Sequence, residues 1–310
     1  MENQPTTLRR VSQKELDTII YNSNSKNINL SNMDLIGLNF HGSRLCYFDL
    51  SSSDLSGANL EGCDLYHANL SGADLYGANL SGANLHGANL TDTNLACAIL
   101  TGANLLDANL TRSSLYKVDL RTCTIHGAKF THASLSFVNM SSMHIMKANF
   151  TRSYMYSTDL FGTSIEATSF FGANISYTNC TGAVLKNLNF NKATFDNSLF
   201  TNTDLSGASL TFASLRKVKF DGANLSGANL SYLLDMYDVD FHNSDLTHTI
   251  LASINYGLEY CDFTEADMKD ICMRGSYLFN IDLSGAINVP DSIKFKANLY
   301  TELGPYSYDN

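Results

Sequence analysis

Residues 66–90 read YHANL SGADL YGANL SGANL HGANL, which is one five-residue pattern repeated five times. A leucine ends each group of five, and an alanine lies two residues before it. Every fifth residue from Leu30 to Leu230 is apolar, and the residue two positions earlier is in most groups Ala, Ser, Thr, Cys or Val. Each group of five therefore offers one large and one small residue to a core.

A period of five fits neither a regular helix nor a flat strand. On a helix it moves the apolar residue about 140° around the axis at each repeat, so that no apolar stripe forms. On a strand the odd spacing alternates the faces. Both apolar positions point inward only if the backbone turns a corner at every repeat. Glycines such as Gly72, Gly77 and Gly82 lie two residues after a leucine, where such a corner needs a permissive backbone.

Two residue types recur at a spacing of 20 and indicate four pentapeptides per coil. They are Phe130, Phe150, Phe170 and Phe190, and Ile125, Ile145 and Ile165. The A(N/D)LxG pattern over residues 26–230 resembles the pentapeptide-repeat family. The resemblance implies an all-β solenoid, a right-handed quadrilateral parallel β-helix, with the central Leu or Phe and the preceding small residue inside.

The chain divides into four predicted segments. Residues 1–25 are an N-terminal segment with a cap helix, because Ser12 and Glu15 form a capping-box pattern ahead of apolar Leu16, Ile19 and Ile20. Residues 26–230 are the uninterrupted β-helix. Residues 231–287 are register-shifted further coils, with loops or a kink expected over 231–239. Residues 288–310 are a C-terminal tail without the repeat.

The sequence contains no pattern that indicates catalysis. We find no Walker A, H-E-x-x-H, G-x-S-x-G or C-x-x-C motif, and expect no enzyme, cofactor or metal site. Cys63, Cys123 and Cys180 fall on inward positions and are predicted to be core residues. The asparagines and aspartates just before each leucine are predicted to form hydrogen-bonded ladders. Residues 1–10 contain no apolar h-region and no apolar run long enough for a membrane span occurs, so we expect neither a Sec signal nor a transmembrane segment.

Charge is banded along the chain, whose net charge is −10. Residues 45–111 carry seven acids and no Lys or Arg, whereas residues 111–160 carry six bases and two acids. A candidate acidic ladder at spacing 20 comprises Asp34, Asp54 and Asp74. A candidate interaction surface comprises a column of Arg112, His132 and Arg152 with the outward aromatics Tyr116, Phe137, Tyr154, Tyr156 and Tyr177. Phe161 and Phe171 are expected to point outward as well.

Three functions remain open on sequence grounds. The first is a non-catalytic protein-interaction scaffold, resembling long bacterial members of the family such as type III secreted effectors. The second is a DNA-mimicking protein that binds a type II topoisomerase (gyrase), as quinolone-resistance members do. The third is the targeting domain of an effector ubiquitin ligase. All three imply a protein partner and no direct contact with nucleic acid, in the bacterial cytoplasm or in a host cell reached without a Sec signal. The oligomeric state stays open.

Overall fold

The computed structural model of the protein describes residues 8–22, 28–254 and 258–294. Its contacts divide the chain into two units. Unit 1 comprises Met1–Met140 and Met146–Tyr154, and unit 2 comprises Ser141–Ile145 and Met155–Asn310. In both units the regular elements are short, because the chain turns before a long strand can form. They are β1 (Arg9–Arg10), α1 (Gln13–Tyr21), β2 (Met33–Asp34), β3 (His144–Met146), β4 (Ser164–Glu166), β5 (Ser214–Arg216), β6 (Asp235–Tyr237), β7 (Leu258–Glu259) and β8 (Leu278–Phe279).

The predicted corners are present at the second residue after every core position from Leu30 to Leu230 except Leu120. Gly77 adopts a φ of 62° there, and Arg112 adopts 60°. The N–H of the next residue closes the turn, as Ala78 N donates to Leu75 O at 3.0 Å. A positive φ at the third residue is what such a turn requires. Glycine meets that requirement without strain, whereas the many non-glycine corners hold a conformation that L-residues seldom adopt.

Four corners close one coil, as the spacing of 20 predicted. Parallel bridges join residues at that spacing, for example Asn59 to Asn79. Asn84 N donates to Cys63 O at 2.8 Å, and Leu85 N donates to Asn104 O at 2.8 Å, so the backbone bonds to the coils on both sides. The interior matches the prediction, because every core position from Leu30 to Leu230 is buried.

Phenylalanines stack inside each unit at the predicted spacing. The rings of Phe130 and Phe150 lie 4.9 Å apart in unit 1, and those of Phe170 and Phe190 lie 5.0 Å apart in unit 2. Both separations are normal for stacked aromatic rings. One full coil of the chain therefore brings like side chains into contact within each unit.

The small inward residues bond to the backbone of a neighbouring coil. Cys63 Sγ contacts Phe40 O at 2.9 Å, and Cys123 Sγ contacts Leu100 O at 3.0 Å. Cys180 occupies a core position and is 1% exposed, so the predicted burial of these three cysteines is confirmed. Burial raises the pKa of the Cys63 thiol to about 11 and that of Cys123 to about 12. All seven cysteines are free.

The predicted asparagine and aspartate ladders are also present. Each side chain accepts a hydrogen bond from the backbone two residues ahead, as Asn79 Oδ1 does from Ser81 N at 3.0 Å. Many also bond to the equivalent residue one coil away, as Asn89 Nδ2 donates to Asn69 Oδ1 at 3.0 Å. The ladder therefore holds each corner closed and joins it to the next coil.

Helix α1 begins where the sequence predicted a short helix. Ser12 Oγ accepts from Glu15 N at 3.3 Å, and Leu16 is fully buried, whereas Ile19 and Ile20 are half-buried. Gln13 bonds twice to the backbone of Asn39, with Nε2 to O and N to Oε1 both at 2.8 Å. Strand β1 pairs with β2 in parallel. The remainder of the predicted segment 1–25 lies outside the described residues.

The shifted coils of unit 2 contain extra residues. Ser214 pairs with Asp235, one position beyond the regular partner Leu234, and Asp245 pairs with Asp267, two positions beyond Glu265. Strands β5, β6, β7 and β8 form one sheet in that order. Residues 231–239 therefore stay on a coil, where the sequence predicted loops or a kink. Leu233 and Met236 are buried on either side of the exposed Leu234, so one added residue is turned outward.

The last described coil is less enclosed than expected. Ile281 and Leu283 occupy the two inward positions of their repeat but are only half-buried. Residues 291–294 form a helical turn with Ile293 buried, and the tail beyond residue 294 lies outside the described residues. Within the described ranges, no helix has the length and apolar character needed to cross a membrane.

Candidate interaction surfaces

One face of unit 1 contains the candidate acidic ladder and most of the candidate interaction surface. Successive coils are joined along this face by bridges between the residues that precede the core leucines. These residues are Asp34, Asp54, Asp74, Asn94, Ser114, Ser134 and Tyr154. We call this strip, with the corners on both sides of it, the bipolar face. It is acidic at the low-numbered end and basic and aromatic at the other.

The acidic ladder also holds the turns. Asp54 Oδ1 accepts from Ser56 N at 3.0 Å, and Asp74 Oδ1 accepts from Tyr76 N at 2.9 Å. Asp34 Oδ2 lies 3.5 Å from Arg10 Nη1. The three carboxylates are half-buried. One oxygen of each is thus committed to the backbone, as it is in the neutral asparagines elsewhere.

Arg112, His132 and Arg152 lie at successive left-handed corners on one edge of the bipolar face. Arg112 N donates to Thr131 O and His132 N donates to Thr151 O, both at 3.0 Å, which places the three side chains one coil apart. Each corner is exposed, so the side chains project into solvent. The predicted column exists as a geometric arrangement.

The charge of Arg112 is neutralised within the column. Its Nε and Nη2 atoms donate to the two carboxylate oxygens of Asp92, each at 2.6 Å. The hydrogen bond from the guanidinium lowers the pKa of Asp92. Among the described residues, Arg152 forms no ion pair. Arg152 is therefore the column's uncompensated permanent cation, and Asp92–Arg112 marks the boundary between the acidic and basic ends.

Aromatic side chains occupy the opposite corner of the same face. The rings of Tyr116 and Phe137 meet edge to face at 5.5 Å. Lys117 Nζ lies 5.1 Å from the centre of the Tyr116 ring, within the range of a cation–π contact. Tyr154 lies between the two corners and is 48% exposed. Six of the eight residues of the candidate interaction surface thus share one face.

The other two residues of that candidate surface lie in unit 2. Tyr156 and Tyr177 contact each other with ring centroids 5.0 Å apart. Phe161 is exposed as expected, whereas Phe171 is half-buried and lies 5.5 Å from Lys192 Nζ. The bipolar face is defined within unit 1 and does not include these aromatics.

Unit 2 carries a groove that the sequence analysis did not identify. It has a volume of about 560 Å³ and is lined by Tyr177, Asp196, Arg216, Lys217, Asp235 and Tyr237. A second groove of about 260 Å³ adjoins it at Lys217 and reaches Tyr260. The signal in the sequence was the spacing of 20 between Asp196 and Arg216. Asp235 and Tyr237 do not follow the spacing of 20, because the extra residue moves them one position along the chain.

The histidines, cysteines and carboxylates are the side chains that could bind a metal ion. No group of three His, Cys, Asp or Glu side chains within residues 8–22, 28–254 and 258–294 is arranged to hold a metal ion. The histidines of unit 1 pack instead against aromatic rings, as His67 stacks on Tyr47 at 5.7 Å and His86 meets Tyr66 at 5.3 Å. The arrangements suit binding through charge and aromatic contact.

No curated protein matches the chain. HetL, a pentapeptide repeat protein involved in heterocyst differentiation regulation from the cyanobacterium Nostoc sp., is 25% identical over 90% of this chain and 97% of its own, with a TM-score of 0.32. Trypsin-treated QnrB1, a plasmid-mediated fluoroquinolone resistance protein, is 16% identical over 72% of this chain and 94% of its own, with a TM-score of 0.32. A pentapeptide repeat protein from the Arabidopsis thaliana thylakoid lumen is 33% identical over 34% of this chain and 66% of its own, with a TM-score of 0.19.

The family comparison agrees with the geometry of the coils. A family model described as "Pentapeptide repeats (8 copies)" matches residues 53–92, 88–127, 166–202 and 195–231. The matched segments lie where the backbone turns at every fifth position and pairs with itself at a spacing of 20. The chain therefore belongs to the pentapeptide-repeat family, and its repeats form the right-handed quadrilateral β-helix of that family.

Proposed function

We propose that the protein is a non-catalytic protein-binding module and that the bipolar face of unit 1 is its contact surface. The observation that carries the proposal is the exposure of Arg152, Tyr154 and Phe137 together on one face. Tyrosine, phenylalanine and arginine are enriched where proteins meet, because they combine apolar area with directed polar contacts.

A protein partner suits this face better than a small molecule does. The face is built from successive coils about 4.8 Å apart, and its groups form a row of contacts along the strands' stacking direction. Small ligands are usually enclosed in concave pockets, whereas protein partners cover extended surfaces. The change from acidic to basic charge along the face also offers a means of selecting one register of binding.

Two finer features belong to the same proposal. We propose that α1 caps the β-helix, since Gln13 bonds to both backbone groups of Asn39 and Leu16 covers the core. A capped end blocks edge-to-edge pairing with other chains. We further propose delivery to a host cell as the setting in which a bacterial scaffold of this kind acts, and both bacterial and host lysates are therefore sources of partner.

The test uses capture from these lysates, followed by binding kinetics with the captured partner. Arg152→Asn removes the free cation and keeps a residue that tolerates the left-handed corner. Tyr154→Ser installs the residue found at Ser134 and Ser114, one and two coils away. Both changes should weaken association, and Arg152→Asn should act mainly by slowing the on-rate and reducing its salt dependence.

The matched control removes a charge pair without changing net charge. Asp92→Asn with Arg112→Asn should leave association nearly unchanged, because the two charges already cancel. Loss of binding only with Asp54→Asn and Asp74→Asn would place the contact on the acidic ladder, as a topoisomerase-binding DNA mimic requires. If no variant alters capture, the bipolar face is not the contact surface.

A further inference from the structure

The groove on unit 2 is flanked by tyrosines. Tyr177 lies on one side and is 52% exposed, and Tyr237 lies on the other. Tyr237 also meets Tyr260 edge to face at 5.5 Å, which extends the aromatic wall along the adjoining groove. The aromatic faces are therefore held by neighbouring rings and line a path that runs through both grooves.

Negative charge exceeds positive charge along this path. The carboxylates of the two grooves belong to Asp196, Asp235, Asp238, Asp240 and Asp262, and the cations belong to Arg216, Lys217 and Lys219. Arg216 pairs with Asp235, so its charge is already compensated. Asp240 and Asp262 each use Oδ1 to accept a backbone N–H, which leaves their Oδ2 atoms for another donor. The path as a whole attracts cations.

Asp196 has an unsatisfied hydrogen-bond acceptor. Its Oδ1 atom is shielded from solvent and has no hydrogen-bond partner within the described part of the chain. Burial raises the pKa of this carboxyl, Arg216 opposes that shift and Asp235 adds to it. An acceptor in this position gains most from a donor that carries positive charge.

We propose that the two grooves of unit 2 bind an extended, arginine-bearing segment of a protein partner, with a guanidinium against the Tyr177 ring and hydrogen-bonded to Asp196. Arginine fits better than lysine because its planar group stacks on tyrosine and donates two parallel hydrogen bonds to a carboxylate. This surface lies in unit 2, and the inference does not depend on the function proposed for the bipolar face.

The probe is a fluorescein-labelled nonapeptide of alternating arginine and serine, titrated with the full chain and followed by anisotropy. The wild-type chain should bind this arginine peptide saturably. It should bind the peptide in which lysine replaces arginine less tightly, and the peptide in which glutamate replaces arginine far less tightly. Asp196→Asn should weaken binding about tenfold, as expected for loss of one charge-assisted hydrogen bond. Tyr177→Asn should weaken it about threefold through loss of the cation–π contact.

Two control variants make the same chemical changes at positions outside the two grooves. Asp270→Asn removes one exposed negative charge from a corner of unit 2 outside both grooves. Tyr232→Asn removes a tyrosine that is 52% exposed and has positive φ, as Tyr177 does. Neither should change the affinity. Circular dichroism should show all four variants folded, since asparagine occupies many equivalent corners.

Three results would overturn the inference. If Asp196→Asn and Asp270→Asn weaken binding equally, the peptide is held only by net charge. If the glutamate peptide binds as well as the arginine peptide, Lys217 and Lys219 define an anion site instead. If the wild-type chain shows no saturable binding, the grooves do not bind such a segment. None of these results bears on whether the bipolar face of unit 1 binds a protein.

Discussion

Arg112 donates two hydrogen bonds to Asp92 across adjacent coils, with Nε–Oδ1 and Nη2–Oδ2 both at 2.6 Å. Both residues occupy left-handed corners, where φ is 60° and 58°. The β-helix thus places equivalent residues of adjacent coils at a separation that suits a bidentate ion pair. Because the pair sits where the charge of the bipolar face changes sign, it separates two surfaces without adding net charge to either.

The coupling between Asp92 and Arg112 should depend on pH. The hydrogen bond from Arg112 lowers the pKa of Asp92 in the folded protein, so the pair contributes stability above the ordinary aspartate pKa. That contribution is lost as the pH falls through the lowered value. A double-mutant cycle with Asp92→Asn and Arg112→Asn, measured by urea unfolding, should give a favourable coupling at pH 7 and almost none at pH 2. A coupling near zero at pH 7 would show that the pair is absent in solution.

The core register is testable at Leu85 and His86. Leu85 is fully buried, so Leu85→Asp should cost more than about 4 kcal/mol in the free energy of unfolding and prevent folding. His86 is half-buried and packs on the Tyr66 ring, and His86→Asn should cost about 1 kcal/mol at most. Chemical denaturation measures both. Comparable losses at the two positions would mean that the assigned inward residues are wrong.

Corner geometry predicts that two substitutions at Gly77 destabilise the protein to different extents. This glycine has a φ of 62°, and no atom lies within 4 Å of where a Cβ would be placed. Gly77→Val should therefore destabilise the protein by about 1–2 kcal/mol through backbone strain alone. Gly77→Asn should cost less than about 0.5 kcal/mol, because asparagine tolerates the left-handed region. Thermal unfolding of the two variants gives the comparison, and equal destabilisation would argue for a steric origin instead.

Cysteine reactivity should follow burial. Cys97 and Cys272 are exposed, whereas Cys63, Cys123, Cys180 and Cys261 are buried. Burial raises the pKa of Cys261 to about 12, and a thiol that stays protonated and enclosed reacts poorly. Iodoacetamide at pH 8 should label Cys97 and Cys272 in the native protein, with the buried four labelled only in denaturant. Peptide mass spectrometry reads the sites, and rapid native labelling of Cys63 would contradict the closed core.

Asp196 should make the protein slightly less stable as the pH rises. Its pKa is raised in the folded state, chiefly by burial, so the folded protein binds the proton more tightly than the unfolded chain does. Stability from this group is greatest below the unfolded pKa and declines through the folded value. Asp196→Asn should therefore be as stable as wild type or more stable at pH 7. Urea unfolding between pH 3 and pH 7 should show the advantage of the variant growing with pH, and a loss of stability at pH 7 would contradict it.

Periodicity accounts for what the sequence could predict. Each pentapeptide must bury one large and one small side chain, so the core from Leu30 to Leu230 and the corners follow directly from the pattern. The spacing of 20 likewise places Arg112, His132 and Arg152 in one column. The same spacing of 20 pairs Asp92 with Arg112. When the charges are divided into an acidic stretch and a basic stretch, however, the two residues fall in different groups.

The groove in unit 2 was beyond the reach of periodicity. Asp235 contacts Arg216 only because a coil near Leu234 holds one extra residue. Counting cannot decide where within 231–239 that residue is accommodated, since both Leu233 and Leu234 are apolar and either could have been buried. Packing against the preceding coil makes the choice. A site that depends on such an irregularity cannot be predicted from the repeat pattern alone.

The two periods of the fold also determine how such a chain can change over evolution. Burial repeats with every pentapeptide, whereas each exposed residue finds its neighbours a whole coil away. Duplication of a single pentapeptide would keep every later leucine in the interior yet rotate every later exposed side chain by a quarter turn. Duplication of a whole coil would lengthen the column and preserve its faces. Insertions that folding tolerates equally well would therefore differ sharply in whether a binding surface survives them.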